Sequence, residues 1–356
     1  MYRSKAKREK TGGRIEARQK QREERLTIAI DGKLLARAKL ALEERRRRND
    51  ERNERRLEKV YARVPSIRVL DAEIRATMSD LVGIALGANQ NGQVENIRMK
   101  NLELQELRRS ELMRAGFSDS YLDDEYVCQR CHDTGYIRTE MCSCLMEQYK
   151  KEQIQSLSNL FKLGEETFDN FDLSYYDDTR APDTGISARR SMEIIYETCV
   201  EYARKFGIKS MNLFFNGSPG LGKTFLSACI ARLVAENGYS VVYDMASSIF
   251  AKFEDAKFLR TEEPEEIRAE VKRCLECDLL ILDDLGTEMT TSFTVSALYE
   301  LINTRLVAGK KTIVSSNLTI QELRRRYSEQ IMSRLEGEYQ VLTFRGDDIR
   351  RKRNAL

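Results

Sequence analysis

An eight-residue loop motif constrains this chain more than any other feature of its sequence. The motif reads Gly217-Ser218-Pro219-Gly220-Leu221-Gly222-Lys223-Thr224 and fills every fixed position of the pattern G-x-x-x-x-G-K-[ST]. In such a loop the glycines let backbone N–H groups crowd round a phosphate, the lysine reaches the β- and γ-phosphates, and the hydroxyl ligates Mg²⁺. Residues 211–216 before it predict a buried strand, and residues 225–236 after it predict a helix. The phosphate would then lie at a helix N-terminus, so we expect the chain to bind ATP or GTP.

Length and charge suggest two domains and a polar partner. The chain has 356 residues, and residues 1–60 hold 21 Lys and Arg against 11 Asp and Glu, although the net charge of the whole is only +3. A basic arm on a mildly acidic body indicates contact with nucleic acid or an acidic protein surface, and a solvated charged helix explains it equally well. The sequence shows no secretory signal and no membrane span. Eight cysteines in such a chain favour a reducing compartment, so we expect a cytoplasmic protein.

The first third of the chain reads as α-helical. Residues 1–30 have no apolar period and are expected to form a mobile arm, whereas residues 33–62 predict one long helix. The stretch from Arg45 to Arg56 offers almost nothing to bury, so we expect it to face solvent or a partner. Apolar residues at helical spacing predict an antiparallel helical hairpin over residues 66–116. We interpret residues 1–120 as a helical, basic, partner-binding region.

Four cysteines in seventeen residues predict a small zinc knuckle over residues 121–150. Cys128 and Cys131 form a C-x-x-C pair, and Cys142 and Cys144 form a C-x-C pair after a turn. Two such thiolate pairs can close a tetrahedral Zn²⁺ site. His132 could replace one sulfur, and a redox dithiol or plain buried cysteines are the alternatives. The remaining cysteines are interpreted as small buried hydrophobic residues: Cys199, Cys229, Cys274 and Cys277.

From residue 160 onward, helices alternate with short apolar strands, which predicts a parallel α/β sheet. The five expected strands are 211–216, 240–244, 278–283, 311–315 and 339–344. The third ends in Asp283 and Asp284, at the edge where such sheets bind ligands. This is the Walker B arrangement: Asp283 would hold Mg²⁺ through water, and Asp284 would orient and activate the attacking water. A plain strand followed by an Asx turn is the alternative.

Two further polar residues are candidates for this site. Asn317 follows the fourth predicted strand, where its side chain could reach between the γ-phosphate and the water. A turn or cap residue explains Asn317 almost as well. Arg334 lies on a helix among many arginines, and a surface ion pair is the ordinary explanation for any one of them.

Several segments together resemble a known family. Residues 167–172, the Walker A loop, and residues 280–286, 301–305, 312–318 and 331–335 resemble the AAA+ ATPases of bacterial helicase loaders, the DnaC/DnaI family, and the related IstB transposition helpers. The resemblance spans residues 167–350. It implies an ASCE-type P-loop core over residues 160–356, with Asn317 as sensor 1. It further implies that Arg334 is an arginine finger offered to a neighbouring subunit, and hence that the ATPase domain self-associates.

The resemblance also sets expectations that depart from the wider superfamily. Residues 247–272 would be a helical insertion that touches single-stranded DNA, with Phe250, Lys252, Phe253 and Lys257 as its aromatic and basic candidates. A full helical lid is not expected, so a sensor 2 would have to be Arg350. Asp284 stands where many relatives carry Glu, and its shorter reach implies slow hydrolysis, closer to a switch than to a motor.

The region before the ATPase core separates the functional hypotheses. IstB-type proteins have a short helical N-terminal part and no zinc knuckle, whereas this chain resembles a loader whose N-terminal domain grips a hexameric replicative helicase. The sequence therefore predicts an ATP-dependent helicase loader that acts on single-stranded DNA, and an IstB-like ATPase assisting a transposase is the alternative. A P-loop metabolic kinase is disfavoured by Asn317 and Arg334, and a scaffold that does not hydrolyse ATP is disfavoured by the two Walker B acids.

Overall fold

A computed structural model describes residues 30–87, 91–118, 120–161, 166–180, 185–258 and 264–353. The arm predicted for residues 1–30 therefore lies, except for Ile30, outside the described residues. The chain divides into two compact units, one made of residues 38–148 and the other of residues 1–37 with 149–356. Within the described ranges, no helix combines the length and the apolar character that crossing a membrane requires.

The unit of residues 38–148 is mostly helical. It contains most of α1 (Gly32–Arg63), then α2 (Pro65–Gly87), α3 (Asn91–Arg114), a two-strand hairpin of β1 (Tyr136–Ile137) and β2 (Glu140–Met141), and the start of α4 (Ser143–Phe161). The side chains of Asp71 and Arg108 pair at 2.5 Å, and those of Thr77 and Asn101 lie opposite one another further along. These pairings run in opposite directions along α2 and α3, so the predicted antiparallel hairpin is present.

The other unit is built on a parallel sheet of five strands. Its helices and strands follow in the order α5 (Ala188–Arg204), β3 (Asn212–Asn216), α6 (Lys223–Glu236), β4 (Val241–Met245), α7 (Ala246–Phe258), α8 (Pro264–Glu276), β5 (Leu279–Asp283), α9 (Ser292–Val307), β6 (Lys311–Ser316), α10 (Ile320–Arg326), α11 (Glu329–Gly337), β7 (Tyr339–Thr343) and α12 (Ile349–Arg353). All five strands lie within about one residue of the ranges expected from the sequence.

Strand order explains how the polar residues meet. The order across the sheet is β4-β5-β6-β3-β7, so β6 lies between the strand that enters the loop and the strand that carries the two acids. All neighbouring pairs are parallel. The carboxyl ends of β3, β4, β5 and β6 therefore lie at one edge of the sheet, where α/β proteins bind ligands. The predicted α/β fold with a five-stranded parallel sheet is confirmed, and the loop motif lies at the carboxyl end of its strand β3.

Helices cover both faces of this sheet. Alternate residues of a strand point to opposite faces, and here Leu213 and Phe215 pack with α5 and α6 while Phe214 packs with α7, α9 and α11. All five residues of β5 are buried. A strand buried on both faces holds its last residue firmly, which fixes where the acidic side chains begin.

Candidate nucleotide site

The loop motif joins β3 directly to α6, as the sequence predicted. Gly217 has φ 149° and Gly222 has φ 90°, values that side-chain-bearing residues rarely adopt. A Cβ atom at Gly217 would lie 2.5 Å from the carbonyl oxygen of Phe344, and one at Gly222 would lie 2.9 Å from Oη of Tyr176. Because α6 begins at Lys223, its first N–H groups have no acceptor within the helix. The loop can therefore offer those N–H groups to an anion.

Lys223 lies buried under this loop, with only 4% of its surface exposed. Its Nζ donates hydrogen bonds to the carbonyl oxygens of Gly217 and Ser218, at 2.6 and 2.8 Å, and to Oδ1 of Asn317 at 2.7 Å. Burial lowers the pKa of Lys223 to about 8. The lysine is thus the buried cation of the site, placed beside the loop that would hold the phosphates.

Asn317 links this lysine to the second acid. Its Nδ2 donates to Oδ1 of Asp284 at 2.9 Å, while its Oδ1 accepts from Lys223. The next helix, α10, is capped by Thr319 instead, which shares a capping box with Glu322. Asn317 is therefore not the cap residue that the alternative reading of the sequence required, and its side chain lies between Lys223 and Asp284.

Asp284 turns the chain away from the sheet. Its φ is +54°, and its backbone N–H donates to Oγ of Ser315 at 2.9 Å. Burial raises the pKa of Asp284, and the neighbouring negative charge of Asp283 raises it further. A carboxylate in such surroundings accepts a proton more readily than an exposed one, which suits a general base.

Asp283 lies at the end of β5, 4% exposed, opposite the hydroxyl of Thr224. Thr224 Oγ1 donates to Asp283 Oδ2 at 3.0 Å. A threonine hydroxyl and an aspartate carboxylate are hard oxygen ligands of the kind that Mg²⁺ takes, usually with several waters retained. Thr224 and Asp283 therefore fit the magnesium role expected of them.

Several residues of this site carry no local signal in the sequence. Tyr243 and Ser315 both donate to the carboxylate of Asp283, and Tyr176 donates to the carbonyl oxygen of Leu221 at 2.9 Å. Phe171 stacks on Tyr196 next to the loop. Phe171 belongs to residues 167–172, whose one signal in the sequence is the family resemblance. The contacts of these residues depend on strand order, which no local pattern reveals.

Arg350 and Arg334 differ in their relation to this site. The N–H of Ile349 donates to the carbonyl oxygen of Gly220 at 3.0 Å, and the charge of Arg350 contributes to the shifted pKa values of Lys223 and Asp284. Arg334 instead contacts residues of α9 and its own helix. Its Nη2 donates to Tyr299 Oη and Asn303 Oδ1, both at 3.0 Å, and its guanidinium lies 4.6 Å from the centre of the Tyr299 ring.

Comparison with known proteins matches this part of the chain to one family. Residues 198–356 match the family model described as IstB-like ATP binding protein. These residues form an IstB-like ATP-binding domain. The family thus implies that the nucleotide of this site is ATP and that Mg²⁺ accompanies it.

Individual relatives of the IstB-like domain are distant. The replicative helicase loader DnaC of Escherichia coli K12 is 22% identical over 135 residues, 38% of this chain and 54% of DnaC. A Sinorhizobium fredii protein described as an insertion sequence ATP-binding protein is 27% identical over 125 residues, 35% of this chain and 40% of the relative. These matches cover about half of each relative's length. A crystal structure of the DnaC helicase loader aligns with a TM-score of 0.41 at 20% identity, covering 50% of this chain and 98% of that one.

The helical insertion of the IstB-like domain differs from the sequence expectation. Phe250 and Phe253 are 3% and 7% exposed and pack in the core beside β4 and β5, so their assignment to a DNA-contacting surface was wrong. Lys252 forms an ion pair with Asp244 at 2.7 Å. Only Lys257 among the four candidates is exposed, and its Nζ lies 5.4 Å from the centre of the Phe293 ring. Residues 259–263 of the insertion lie outside the described residues.

The four cysteines of the predicted knuckle form one cluster in the helical unit. The sulfur atoms of Cys128, Cys131, Cys142 and Cys144 all lie within 4.8 Å of one another. Cys128 and Cys142 are separated by 3.7 Å between their sulfurs. A tetrahedral site with Zn–S bonds of ~2.3 Å places its sulfurs about 3.8 Å apart, so this cluster could hold Zn²⁺. A hydrogen bond from the Cys131 N–H lowers the pKa of Cys128 to about 7, which favours the thiolate that a metal needs.

His132 is not part of this cluster. It is exposed and stacks on Tyr126 with ring centres 4.7 Å apart, so the alternative in which it replaces a sulfur finds no support. The other cysteines are buried, as the sequence predicted: Cys199, Cys229, Cys274 and Cys277.

The knuckle is attached to α1 through a buried acid. Asp133 accepts hydrogen bonds from the N–H groups of Val127 and Cys128, each at 2.9 Å, and from Arg45 at 2.7 Å. Arg56 pairs with Glu125 at 2.9 Å. The expectation that Arg45 to Arg56 would face only solvent or a partner was therefore wrong for these two arginines, because the knuckle supplies acids that a helix considered alone does not show.

Proposed function

We propose that this protein is an ATP-dependent helicase loader. It binds a DnaB-type hexameric replicative helicase and delivers it to single-stranded DNA, with ATP binding and hydrolysis as the switch. The observation that carries the proposal is the combination of an IstB-like ATP-binding domain, with lysine and acids in one connected site, and a separate helical unit with a four-cysteine cluster. Such a role would place the protein in the cytoplasm.

The residues of the site support hydrolysis as well as binding. Lys223 would stabilise the charge on the β- and γ-phosphates, and Asn317 would hold the attacking water beside Asp284. The water oxygen would attack the γ-phosphorus, and the bond between the γ-phosphorus and the oxygen that bridges it to the β-phosphate would break. Asp284 would take the proton of the water during this step. Bound Mg²⁺, held by Thr224 and through water by Asp283, would neutralise charge on the phosphate oxygens.

Asn317 gives this ATPase the character of a switch. Its hydrogen bonds to both Lys223 and Asp284 tie the general base to the phosphate-binding cation. Asp284 must leave this hydrogen bond, or share it, before it can orient water. Together with the short aspartate side chain, this contact supports slow turnover.

We assign helicase binding to residues 1–150, in which residues 1–120 form the partner-binding region and 121–150 the zinc knuckle. Helix α3 supports the assignment, because Met99, Leu102 and Met113 are 53%, 51% and 59% exposed and their spacing places them on one face. Clustered exposed apolar residues of this kind are typical of protein interaction sites. The ATPase domain of residues 160–356 would bind DNA and neighbouring subunits.

The DNA surface that we propose is the outer end of the insertion. Phe258 is 61% exposed and meets Phe293 edge to face at 5.4 Å, and Lys257 lies over both rings. Exposed aromatic rings with an adjacent cation suit base stacking and phosphate contact. These residues replace Phe250 and Phe253 as candidates, since the latter are buried.

The test uses the full chain with a purified hexameric replicative helicase. We expect the chain to bind the helicase in the presence of ATP and to place it on circular single-stranded DNA. The variant Leu102→Asp/Met113→Asp should lose helicase binding by at least tenfold and keep ATP binding. Ile208→Asp, which changes a 72% exposed apolar residue of the IstB-like domain, is the matched control and should keep both.

An IstB-like ATPase that assists a transposase is the second candidate, supported by the family model and the Sinorhizobium relative. A chain that ignores the helicase and instead stimulates the transposase of an insertion sequence would replace the loader proposal. Equal loss of helicase binding in the Ile208 control would contradict the assignment of residues 1–150.

A further inference from the structure

Three hydroxyl groups surround the carboxylate of Asp283. Thr224 Oγ1 and Tyr243 Oη both donate to Oδ2, at 3.0 and 2.5 Å, and Ser315 Oγ donates to Oδ1. A carboxylate has about four acceptor positions, so these donors leave little rotational freedom. The acid proposed to hold Mg²⁺ is therefore oriented by groups from three different elements.

Two of these hydroxyls have a further task. Thr224 belongs to the loop motif, and its oxygen is the expected metal ligand. Ser315 also accepts the backbone N–H of Asp284 and so supports the turn that carries the proposed base. Neither motif nor resemblance assigns a task to Tyr243.

Tyr243 is held rigidly enough to position its neighbour. It lies on β4, in register with Ile281 of β5, and is 5% exposed. Its ring packs in the same core cluster as Leu226 and Ile281. A buried ring in a central cluster cannot swing away, so its hydroxyl is a fixed donor to Oδ2.

We propose that Tyr243 is a positioning residue for the Mg²⁺ site. Its hydroxyl donates to the same oxygen, Oδ2 of Asp283, as the hydroxyl of Thr224. It would therefore keep the carboxylate oriented when Thr224 binds the metal instead. Outer-shell hydrogen bonds to ligating carboxylates have this effect in metal sites generally. The inference rests on the proposed function, because it requires nucleotide bound with Mg²⁺.

The test is a Mg²⁺ titration of nucleotide binding by Tyr243→Phe, measured as fluorescence of a non-hydrolysable, fluorescently labelled ATP analogue. Phenylalanine keeps the buried ring and removes only the donor. We expect the Mg²⁺ concentration for half-saturation to rise by about tenfold, in line with the usual effect of losing an outer-shell partner. Affinity for the analogue in EDTA should stay unchanged.

The matched control is Tyr202→Phe. The hydroxyl of Tyr202 is buried and has no hydrogen-bond partner within the described part of the chain, and its ring packs against the same core cluster. This variant should titrate like the wild type, and both variants should melt within a few degrees of it. The comparison of the two variants thereby separates an effect on the stability of the fold from an effect on the position of the metal ligand.

Three outcomes would overturn the inference. An unchanged Mg²⁺ requirement in Tyr243→Phe would show that the hydroxyl does not position the metal ligand. An equal loss of affinity with and without Mg²⁺ would show that Tyr243 acts only on the fold. A wild-type protein that binds the analogue equally well with and without Mg²⁺ would refute the Mg²⁺ site and the inference, and one that does not bind it at all would also refute the proposed nucleotide site.

Discussion

Burial has opposite effects on the two titratable residues that Asn317 connects. It lowers the pKa of Lys223 and raises that of Asp284, because an environment poor in water disfavours the charged form of each. In the proposed mechanism both residues need their charge, the lysine to face phosphates and the aspartate to take a proton. The site is therefore expected to be sensitive to pH on both sides of neutrality.

Nucleotide affinity should fall as pH rises through about 8, where free Lys223 loses its proton. Bound phosphates favour the charged lysine, so the complex holds one proton more than the free protein in this range. Affinity should then decrease by up to about tenfold per pH unit above 8 and be flat just below it. A titration with labelled ATP from pH 7 to 9.5 checks this, with Lys209→Ala, an exposed lysine before β3, as a control that follows the wild type. A flat profile to pH 9.5 would contradict it.

How far the site could be predicted depended on how local each signal is. The loop motif and the acids at the end of β5 are runs of consecutive residues, so Lys223, Asp283 and Asp284 can be named from the sequence, and the structure brings them to one edge of the sheet. Tyr243 and Ser315 belong to other strands, and their contacts with Asp283 arise only because β4 and β6 flank β5. Asn317 was a candidate because it follows the fourth predicted strand, and only the structure distinguishes its side chain from that of a cap.

Among the elements, the insertion and the long helix show what a single-helix pattern misses. Ile249, Phe250 and Phe253 share one face of α7, which is the spacing of a core stripe, and that stripe is buried. On α1 the basic run offered no apolar stripe, yet Arg45 contacts the buried Asp133. Within α9, the fully buried Arg305 donates to the carbonyl oxygens of Cys274 and Cys277 near the end of α8. A polar residue can thus be structural without any periodic signal.

The four-cysteine cluster should hold one Zn²⁺ per chain. Four thiolates gather only when a metal offsets their repulsion, and such sites release apparent binding energies of ~10–16 kcal/mol. Replacing Cys128 and Cys131 with serine should remove the zinc and unfold residues 121–150, while ATP binding by the IstB-like domain stays intact. Cys199→Ala, a buried cysteine outside the cluster, should keep its zinc.

Elemental analysis and nucleotide titration of the same preparations measure both effects. Freshly reduced wild-type protein that contains no zinc would refute the metal site. In that case the short sulfur–sulfur distances would have to be explained as a dithiol cluster.

At the scale of the whole molecule, Arg334 bears on assembly. Its guanidinium is held by Tyr299 and Asn303 on α9, within its own chain, while Lys223 and Asp284 contact other partners. An ordered arginine that does not contact the nucleotide-site residues of its own chain is available to contact the nucleotide bound by a neighbouring subunit. We therefore keep the proposal, first suggested by family resemblance, that it is an arginine finger.

If Arg334 acts between subunits, the ATPase rate per chain should rise with protein concentration. Arg334→Ala should lower the ATPase rate per chain at high concentration by at least tenfold, so that the rate no longer rises with concentration, and should leave ATP binding unchanged. Arg324→Ala, which breaks an exposed ion pair with Glu336, serves as the control and should behave like the wild type. A wild-type rate per chain that stays constant over a hundredfold range of concentration would argue against the finger.

The most direct test of the proposed ATPase switch compares two variants of the nucleotide site in one nucleotide titration and one hydrolysis assay. Lys223→Ala should abolish ATP binding, because it removes the buried cation beside the phosphate loop. Asp284→Asn should bind ATP within a few-fold of the wild type and lose hydrolysis, because an amide cannot take up the proton of the attacking water. Equal loss of affinity in both variants, or undiminished hydrolysis by Asp284→Asn, would contradict the roles proposed for these two residues.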